Sequence, residues 1–273
     1  PSEVRTKYQV ELGDLWGEEF NRVYEQLYLD AQFGKLEMFK FISAKELLKK
    51  VMRSQIETGM PYIAFKDTLN KYNPNKHDGV IVGTNLCTES HSNVKPTRFN
   101  DAKDGKIIRE MSGGLVHVCN LVSINLANVD SDEELESICR TSVRILDNAI
   151  DFTEVPILEG RQHNLRYRTI GVGAMGLADH LAKNNIPYIN SADYVDELFE
   201  KMAIYNIRAS IAAAREKGMF EAYEGSDWQK GIIMGKRQLW FNANSKHKEA
   251  WNDIFRDLQK YGIRNSQISA IAP

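Results

Sequence analysis

Long stretches of helical periodicity separated by short apolar runs narrow the fold of this 273-residue chain more than any other feature. Through 12–33, Leu12, Trp16, Phe20, Val23, Tyr24 and Leu27 recur in steps of three and four, the mark of one buried helix face. Ser43-Ala44-Lys45-Glu46 reads as a capping box, in which the serine oxygen meets an orphan amide and the glutamate reaches back. It predicts a helix to about Ile56, ended by Gly59. Ser131-Asp132-Glu133-Glu134 repeats the signal ahead of Leu135, Ile138, Ile145, Leu146 and Ile150. Two more helices are expected over 192–216 and 245–260, closed by Gly218 and Gly262. Apolar runs at 62–65, 80–83, 115–126, 169–172 and 268–272 suit buried strands. Strands alternating with long helices imply an α/β architecture with largely parallel strands. The polar stretch 90–106, with Pro96, reads as an exposed loop. Neither a linker nor an internal repeat divides the chain, so 1–273 is expected to form a single domain-sized unit.

Composition removes several classes of function. With 42% hydrophobic and 26% charged residues the profile is that of a globular protein, and a net charge of −2 leaves no footprint for nucleic acid or a membrane surface. No apolar run approaches the length of a bilayer span. Pro1-Ser2-Glu3-Val4-Arg5 resembles neither a signal nor a transit peptide. Three widely spaced cysteines argue against a disulfide-stapled secreted fold and for a reducing, cytoplasmic setting. The chain lacks an initiating methionine and stops directly after an apolar run, so it is expected to be a piece of a longer protein.

The chemistry concentrates at Gly83-Thr84-Asn85-Leu86-Cys87-Thr88-Glu89-Ser90. If this segment is extended, Asn85, Cys87 and Glu89 share one face while Leu86 and Thr88 point away. An amide to orient a ligand, a carboxylate to take a proton and a thiol as nucleophile or redox centre then converge. The competing reading of the same residues is a structural cysteine at a strand–loop junction.

Asn85-Leu86-Cys87-Thr88-Glu89 resembles the active-site motif of ribonucleotide reductase large subunits. Val118-Cys119-Asn120-Leu121-Val122-Ser123-Ile124-Asn125-Leu126 is similar to that family's strand with a redox-active cysteine, and Arg168-Thr169-Ile170-Gly171-Val172-Gly173-Ala174-Met175-Gly176-Leu177-Ala178 to its glycine-rich signature. The three occur in family order. The resemblance implies part of a ten-stranded α/β barrel with a central active-site loop, and a radical mechanism. Cys87 would hold a thiyl radical and take hydrogen from C3′ of a ribonucleotide. Glu89 would accept the 3′-hydroxyl proton, and Asn85 would orient the ribose. Substrate contact would extend over the whole of Asn85 to Glu89, Leu86 and Thr88 included. Cys119 would be one of two reducing thiols.

The implied partners are the ribonucleotide, a small metal-containing radical-generating subunit, the missing segments of the same subunit, a thioredoxin- or glutaredoxin-type reductant and a second large subunit. No cofactor would bind this chain directly; in an adenosylcobalamin-dependent relative, that cofactor would be the radical source. The family's second reducing cysteine has no counterpart here, because 1–84 contains no cysteine and Cys139 falls on an apolar helix face. The family's phosphate-gripping loop, tyrosine relay and allosteric regions are likewise absent, so the isolated segment is expected to be inactive.

Other functions fit the same residues less well. Gly171-Val172-Gly173-Ala174-Met175-Gly176 matches the dinucleotide-binding fingerprint, but polar residues 161–168 leave only a stub of preceding strand. Close backbone packing explains such glycines equally. The histidines show no metal-site spacing. A cysteine-nucleophile hydrolase would need His91 or His117 beside Cys87. A pure interaction module would tolerate replacement of Asn85, Cys87 and Glu89 alike.

Overall fold

The computed structural model describes residues 2–103, 106–110 and 113–272. In chain order the elements are α1 (Ser2–Tyr8), α2 (Gly17–Gln32), α3 (Ala44–Thr58), α4 (Lys66–Lys71), β1 (Arg98–Lys103), β2 (Lys106–Glu110), β3 (Leu121–Asn125), α5 (Asp132–Phe152), α6 (Leu158–Tyr167), β4 (Gly171–Met175), α7 (Leu177–Lys183), α8 (Ala192–Lys217), α9 (Gln238–Asn244) and α10 (Lys248–Tyr261).

The caps behave as their chemistry requires. Ser43 Oγ accepts the Glu46 amide, and Gly59, at φ +76°, ends α3 in the left-handed region. At α5, Ser131 Oγ accepts from the Glu134 amide, while Glu134 Oε2 reaches one residue past the cap and accepts from the Asp130 amide. Two helix starts are later than the periodicity predicts. Residues 12–14 form a separate 3-10 turn before α2, and Ser245 Oγ takes the His247 amide ahead of α10. Tyr24 and Ile145, counted on buried faces, point outward.

Strands β3 and β4 pair in parallel, Leu121 opposite Gly171 through Asn125 opposite Met175. Ser269 adds a parallel bridge to Val172 on the other side of β4. The order is therefore β3, β4, then the 267–270 segment, with α5–α6 and α7–α10 as crossovers. Helix α5 packs against this sheet, α8 against α5 and α10 against α8, around a core that includes Leu126, Leu135, Cys139, Val172, Ile207, Trp251 and Ile263. Cys139 is wholly buried there, as its helix position predicts, and burial pushes its thiol up to about 12. A smaller cluster of Val4, Leu27, Ala31 and Leu36 holds α1 to α2.

The fingerprint glycines are packing residues. Gly171 and Gly173 lie within β4 rather than in a turn after it. A Cβ on Gly173 would run into the Ala270 carbonyl oxygen, and one on Gly171 into Leu121 and Ala270. Only Gly176, at φ +71°, turns the chain into α7. Gly171 and Gly173 bring strand next to strand, and Gly176 makes the turn into the helix.

Three strand expectations fail for identifiable reasons. Residues 80–83 are not a strand, because the buried Asn70 side chain takes both the amide and the carbonyl of Ile81 and replaces a ladder partner. Residues 62–65 form no strand, and Tyr62, Ile63 and Phe65 stay exposed. Within 115–126, Leu115 makes only an isolated bridge to Lys95, and the strand proper is β3. The expected exposed loop at 90–106 is also corrected. Its start is buried, with Ser92 and Asn93 inaccessible, and its end enters the antiparallel β1–β2 pair. Polarity there reflects internal hydrogen bonding: Asn93 Nδ2 donates to the Asn75 carbonyl, and Asn73 Nδ2 donates to Asn93 Oδ1. Among the described residues, no helix is long and apolar enough to cross a membrane.

Candidate active site

The Asn85–Glu89 segment is a tight turn, not the extended run that alternation of side chains assumes. The Thr88 amide donates to the Asn85 carbonyl at 3.2 Å, and Thr88 adopts φ +67°. The Asn85 amide donates to the Ser90 carbonyl at 3.1 Å, and the Ser90 amide returns a bond to Asn85 Oδ1 at 3.0 Å. Asn85 Nδ2 then donates to Glu89 Oε1 at 2.5 Å. Asn85 and Glu89 meet because the chain folds back on itself, an Asx-type closure. Cys87 stands exposed near the tip beside Leu86, which is 82% exposed, while Thr88 Oγ1 is tied to the Cys87 carbonyl at 2.6 Å.

Cys119, two residues ahead of β3, comes to the same place. Partial burial is the first cause raising its thiol pKa above the ordinary value. The Glu89 charge and Cys87 add to the rise, and a hydrogen bond from Asn85 opposes it. These couplings join all four residues singled out from the sequence. The three cysteines are free, so Cys87 and Cys119 share a site without a disulfide.

Residues 2–273 match the family model described as ribonucleotide reductase, barrel domain. The chain belongs to the ribonucleotide reductase family. It is 46% identical over 274 residues to the ribonucleoside-diphosphate reductase subunit alpha of Synechocystis sp., covering 100% of this chain and 33% of that protein. It is 34% identical to the subunit alpha of Treponema pallidum, covering 100% of this chain and 32% of that protein. The ribonucleoside-diphosphate reductase large chain of Encephalitozoon cuniculi is 31% identical over 97% of this chain and 32% of its own length. The chain thus spans about a third of the length of these relatives. The parallel β3–β4–269 sheet with its helical crossovers is a portion of the reductase barrel.

Behind the Asn85–Ser90 turn lies a polar network that sequence reasoning largely missed. Ser90 Oγ and His117 Nε2 are 2.6 Å apart, and the His117 ring packs on His163 with centroids 5.0 Å apart. His163 Nε2 meets Ser92 Oγ at 2.9 Å, and its ring also packs on Tyr167. The Tyr167 hydroxyl donates to Asp78 Oδ2 at 2.5 Å, and Arg166 grips Asp78 with two further bonds. Burial pushes the Asp78 carboxyl up, but the Arg166 and Tyr167 hydrogen bonds and the Arg166 charge outweigh it and bring it down to about 2. Only His117 carried a signal in the sequence, through its closeness to Cys119. Its Nε2 is engaged by Ser90 rather than by Cys87.

Glu89, Ser90 and His91 also line a cavity of about 310 Å³ walled by Trp228, Ile207 and Ser266. Glu89 Oε2 is buried with no hydrogen-bond partner among the described residues, while Oε1 is held by Asn85. The carboxylate is oriented at one oxygen and available at the other.

Two buried imidazoles predict how stability responds to acid. Burial, reinforced by His91, lowers His117 to about 4 against the opposing Glu89 charge. Burial, reinforced by His117, lowers His163 to about 3. Unfolded imidazoles titrate near 6.5, so between that pH and the folded values the unfolded chain binds more protons and stability falls as pH falls. The His117 shift alone corresponds to about 3 kcal/mol once pH 4 is reached. Asp78 adds its own loss only below about 4. Urea midpoints measured from pH 7 to pH 4 should drop throughout, and should drop less in His117→Gln. A flat profile over this range would contradict the assignment.

Proposed function

We propose that this chain is the radical-bearing catalytic segment of a ribonucleotide reductase α subunit that converts ribonucleoside diphosphates to deoxyribonucleotides. The observation that carries the reading is the meeting of Asn85, Cys87, Glu89 and Cys119 at one loop–strand junction of the family barrel. Cys87 as a thiyl radical takes hydrogen from C3′, becoming a thiol, and returns that hydrogen to C3′ after the reduction, which regenerates the thiyl radical. Glu89, held through Oε1, accepts the 3′-hydroxyl proton, and Asn85 fixes the loop and the ribose together. Loss of the 2′-hydroxyl as water consumes two electrons, supplied when two thiols become a disulfide. Cys119 provides one thiol. Cys139 is buried in α5, so the second thiol comes from outside this chain.

The relatives' designation as subunit alpha supports a separate radical-generating subunit over adenosylcobalamin as the radical source. A dithiol reductant of thioredoxin or glutaredoxin type would restore the disulfide, and two large subunits would associate. The rest of the same subunit would cover α3, none of whose residues is buried and whose Leu47, Leu48, Met52 and Ile56 are exposed.

The test uses the full-length subunit with its partner. Cys119→Ser should still exchange the C3′ hydrogen but fail to reduce the intermediate, releasing free base and decomposed sugar. Glu89→Gln keeps the shape without the proton acceptor and should slow abstraction by about a hundredfold or more. Normal deoxynucleotide yield from Cys119→Ser would remove this cysteine from the mechanism.

A further inference from the structure

We infer that His117 is a positioning residue for the catalytic loop, holding it against the Cys119 segment through a hydrogen bond to Ser90. The inference rests on the reading of Cys87 and Cys119 as partners at one site, and goes beyond it by assigning how they are kept there.

Ser90 is the closing residue of the turn. Its amide and carbonyl both bond to Asn85, so its position sets where Asn85 and Glu89 stand. Its hydroxyl reaches out of the turn to His117 at 2.6 Å, and His117 is two residues before Cys119. One side-chain bond thus connects the turn that presents Cys87 to the backbone that presents Cys119. His117 is held in turn. Its ring packs against His163, which is wholly buried in the middle of α6 and makes a second serine bond, to Ser92. Two serines on the outgoing arm of the loop, Ser90 and Ser92, are therefore fastened by two imidazoles in ring contact, one from the segment before β3 and one from α6.

The chemistry suits a fixed tie. An unpaired charge this deep would be costly, and with both imidazoles depressed well below 6.5 they are neutral at physiological pH. A neutral imidazole offers one donor and one acceptor nitrogen. His117 Nδ1 has no partner among the described residues, so the tautomer that leaves a bare acceptor there places the proton on Nε2, which donates to Ser90 Oγ. A lysine or arginine at 117 would bring a permanent charge beside the reacting groups, and an aliphatic residue would bring no bond.

The readout is the Cys119 thiol, whose pKa depends on where the loop puts Glu89 and Asn85. In the full-length subunit, the rate of iodoacetamide alkylation at Cys119 is followed against pH by mass mapping of its peptide. The wild type should show a midpoint above that of an ordinary thiol. Ser90→Ala should move it down toward the ordinary value, because a released loop takes away both burial and the Glu89 charge. His117→Phe, which keeps a ring against His163, should do the same, and His117→Gln, whose amide can still bond Ser90, should restore the wild-type midpoint. In the same proteins kcat of nucleotide reduction should fall by about tenfold to a hundredfold in the first two variants with KM little changed, as misplacement of reacting groups requires.

An unchanged midpoint in Ser90→Ala overturns the inference, whatever His117→Phe does. Failure of His117→Gln to recover overturns it as well, since ring packing and not the bond would then be responsible. A wild type with the raised midpoint but no nucleotide reduction would sink the reductase reading and leave the positioning role standing.

Discussion

Replacing Cys87 with serine should abolish release of tritium from C3′-labelled nucleotide by the complete enzyme, while nucleotide binding and folding stay close to wild type. A serine O–H bond is much stronger than a thiol S–H bond, so the hydroxyl can neither be converted to the required radical by the same source nor drive hydrogen abstraction at a useful rate. The structural cost is small. Cys87 is exposed at the tip of a turn whose shape depends on Asn85, Glu89 and Ser90, and substitution at such a position usually changes stability by less than about 0.5 kcal/mol. Asn85 and Glu89 remain bonded to each other in the variant, so the loop still presents a carboxylate and an amide to the sugar. Tritium release, nucleotide affinity and thermal unfolding measured together separate chemistry from folding. Normal deoxynucleotide production by Cys87→Ser would refute the radical mechanism, and loss of binding together with turnover would make Cys87 a structural residue.

The largest stability effect is expected at Arg168, whose side chain is only 3% exposed. Its Nε donates to Asp147 Oδ1 at 2.8 Å, one terminal nitrogen donates to the Asp147 carbonyl at 2.9 Å, and the other pairs with Asp151 at 2.8 Å. The Asn265 side chain joins the cluster by donating to Asp147 and to the Arg168 carbonyl. The network clamps α5 to the entrance of β4 and to the segment leading into the Ser269 bridge. Burial pushes the Asp147 carboxyl up, but bonding and charge from Arg168, with help from Arg264 and Asn265, bring it below its ordinary value.

Arg168→Met fills similar space but strands a buried carboxylate, with Lys217 and Arg264 left at 3.4 Å. The expected cost is about 3–5 kcal/mol. The sign with pH follows: a depressed carboxyl stabilises above its unfolded pKa, and that stability is lost as pH falls. Without Arg168 the Asp147 pKa rises, so this acid-dependent loss shrinks and the cost of Arg168→Met should be smaller at low pH than at neutral pH. The Arg168→Met/Asp147→Leu double variant should recover part of the cost by removing the uncompensated charge. Denaturant midpoints of the wild type and the two variants decide this. A single-variant cost below about 1 kcal/mol would mean that Lys217 and Arg264 already suffice for Asp147.

Both residues were visible in the sequence in different degrees. Cys87 was identified through its motif, whereas Arg168 was only the first letter of a glycine-rich match. The geometry that joins Asn85 to Glu89 was misread as strand alternation. Nothing in Asn-Leu-Cys-Thr-Glu states that Thr88 adopts a positive φ and folds the segment back, since the closing bonds run from Asn85 to Glu89 and to Ser90 beyond the motif. The residues that align the site, His163, Tyr167, Asp78 and Arg166, were unremarkable as letters, and their partners lie 71 to 89 positions away.

The sequence by itself determined the features that act within a turn or two of chain. The capping boxes at Ser43 and Ser131, the glycine stops at Gly59, Gly218 and Gly262 and the burial of Cys139 all follow from local hydrogen-bonding and periodicity. Tertiary structure alone decided which apolar runs became strands and which polar residues went inside. A strand needs a partner, and residues 80–83 met the Asn70 side chain instead. A buried polar group needs a bond, and Ser92, Asn93 and His163 found theirs in each other's neighbourhoods far along the chain. Pairing free energy is realised only when distant segments meet, so it leaves no local pattern to read.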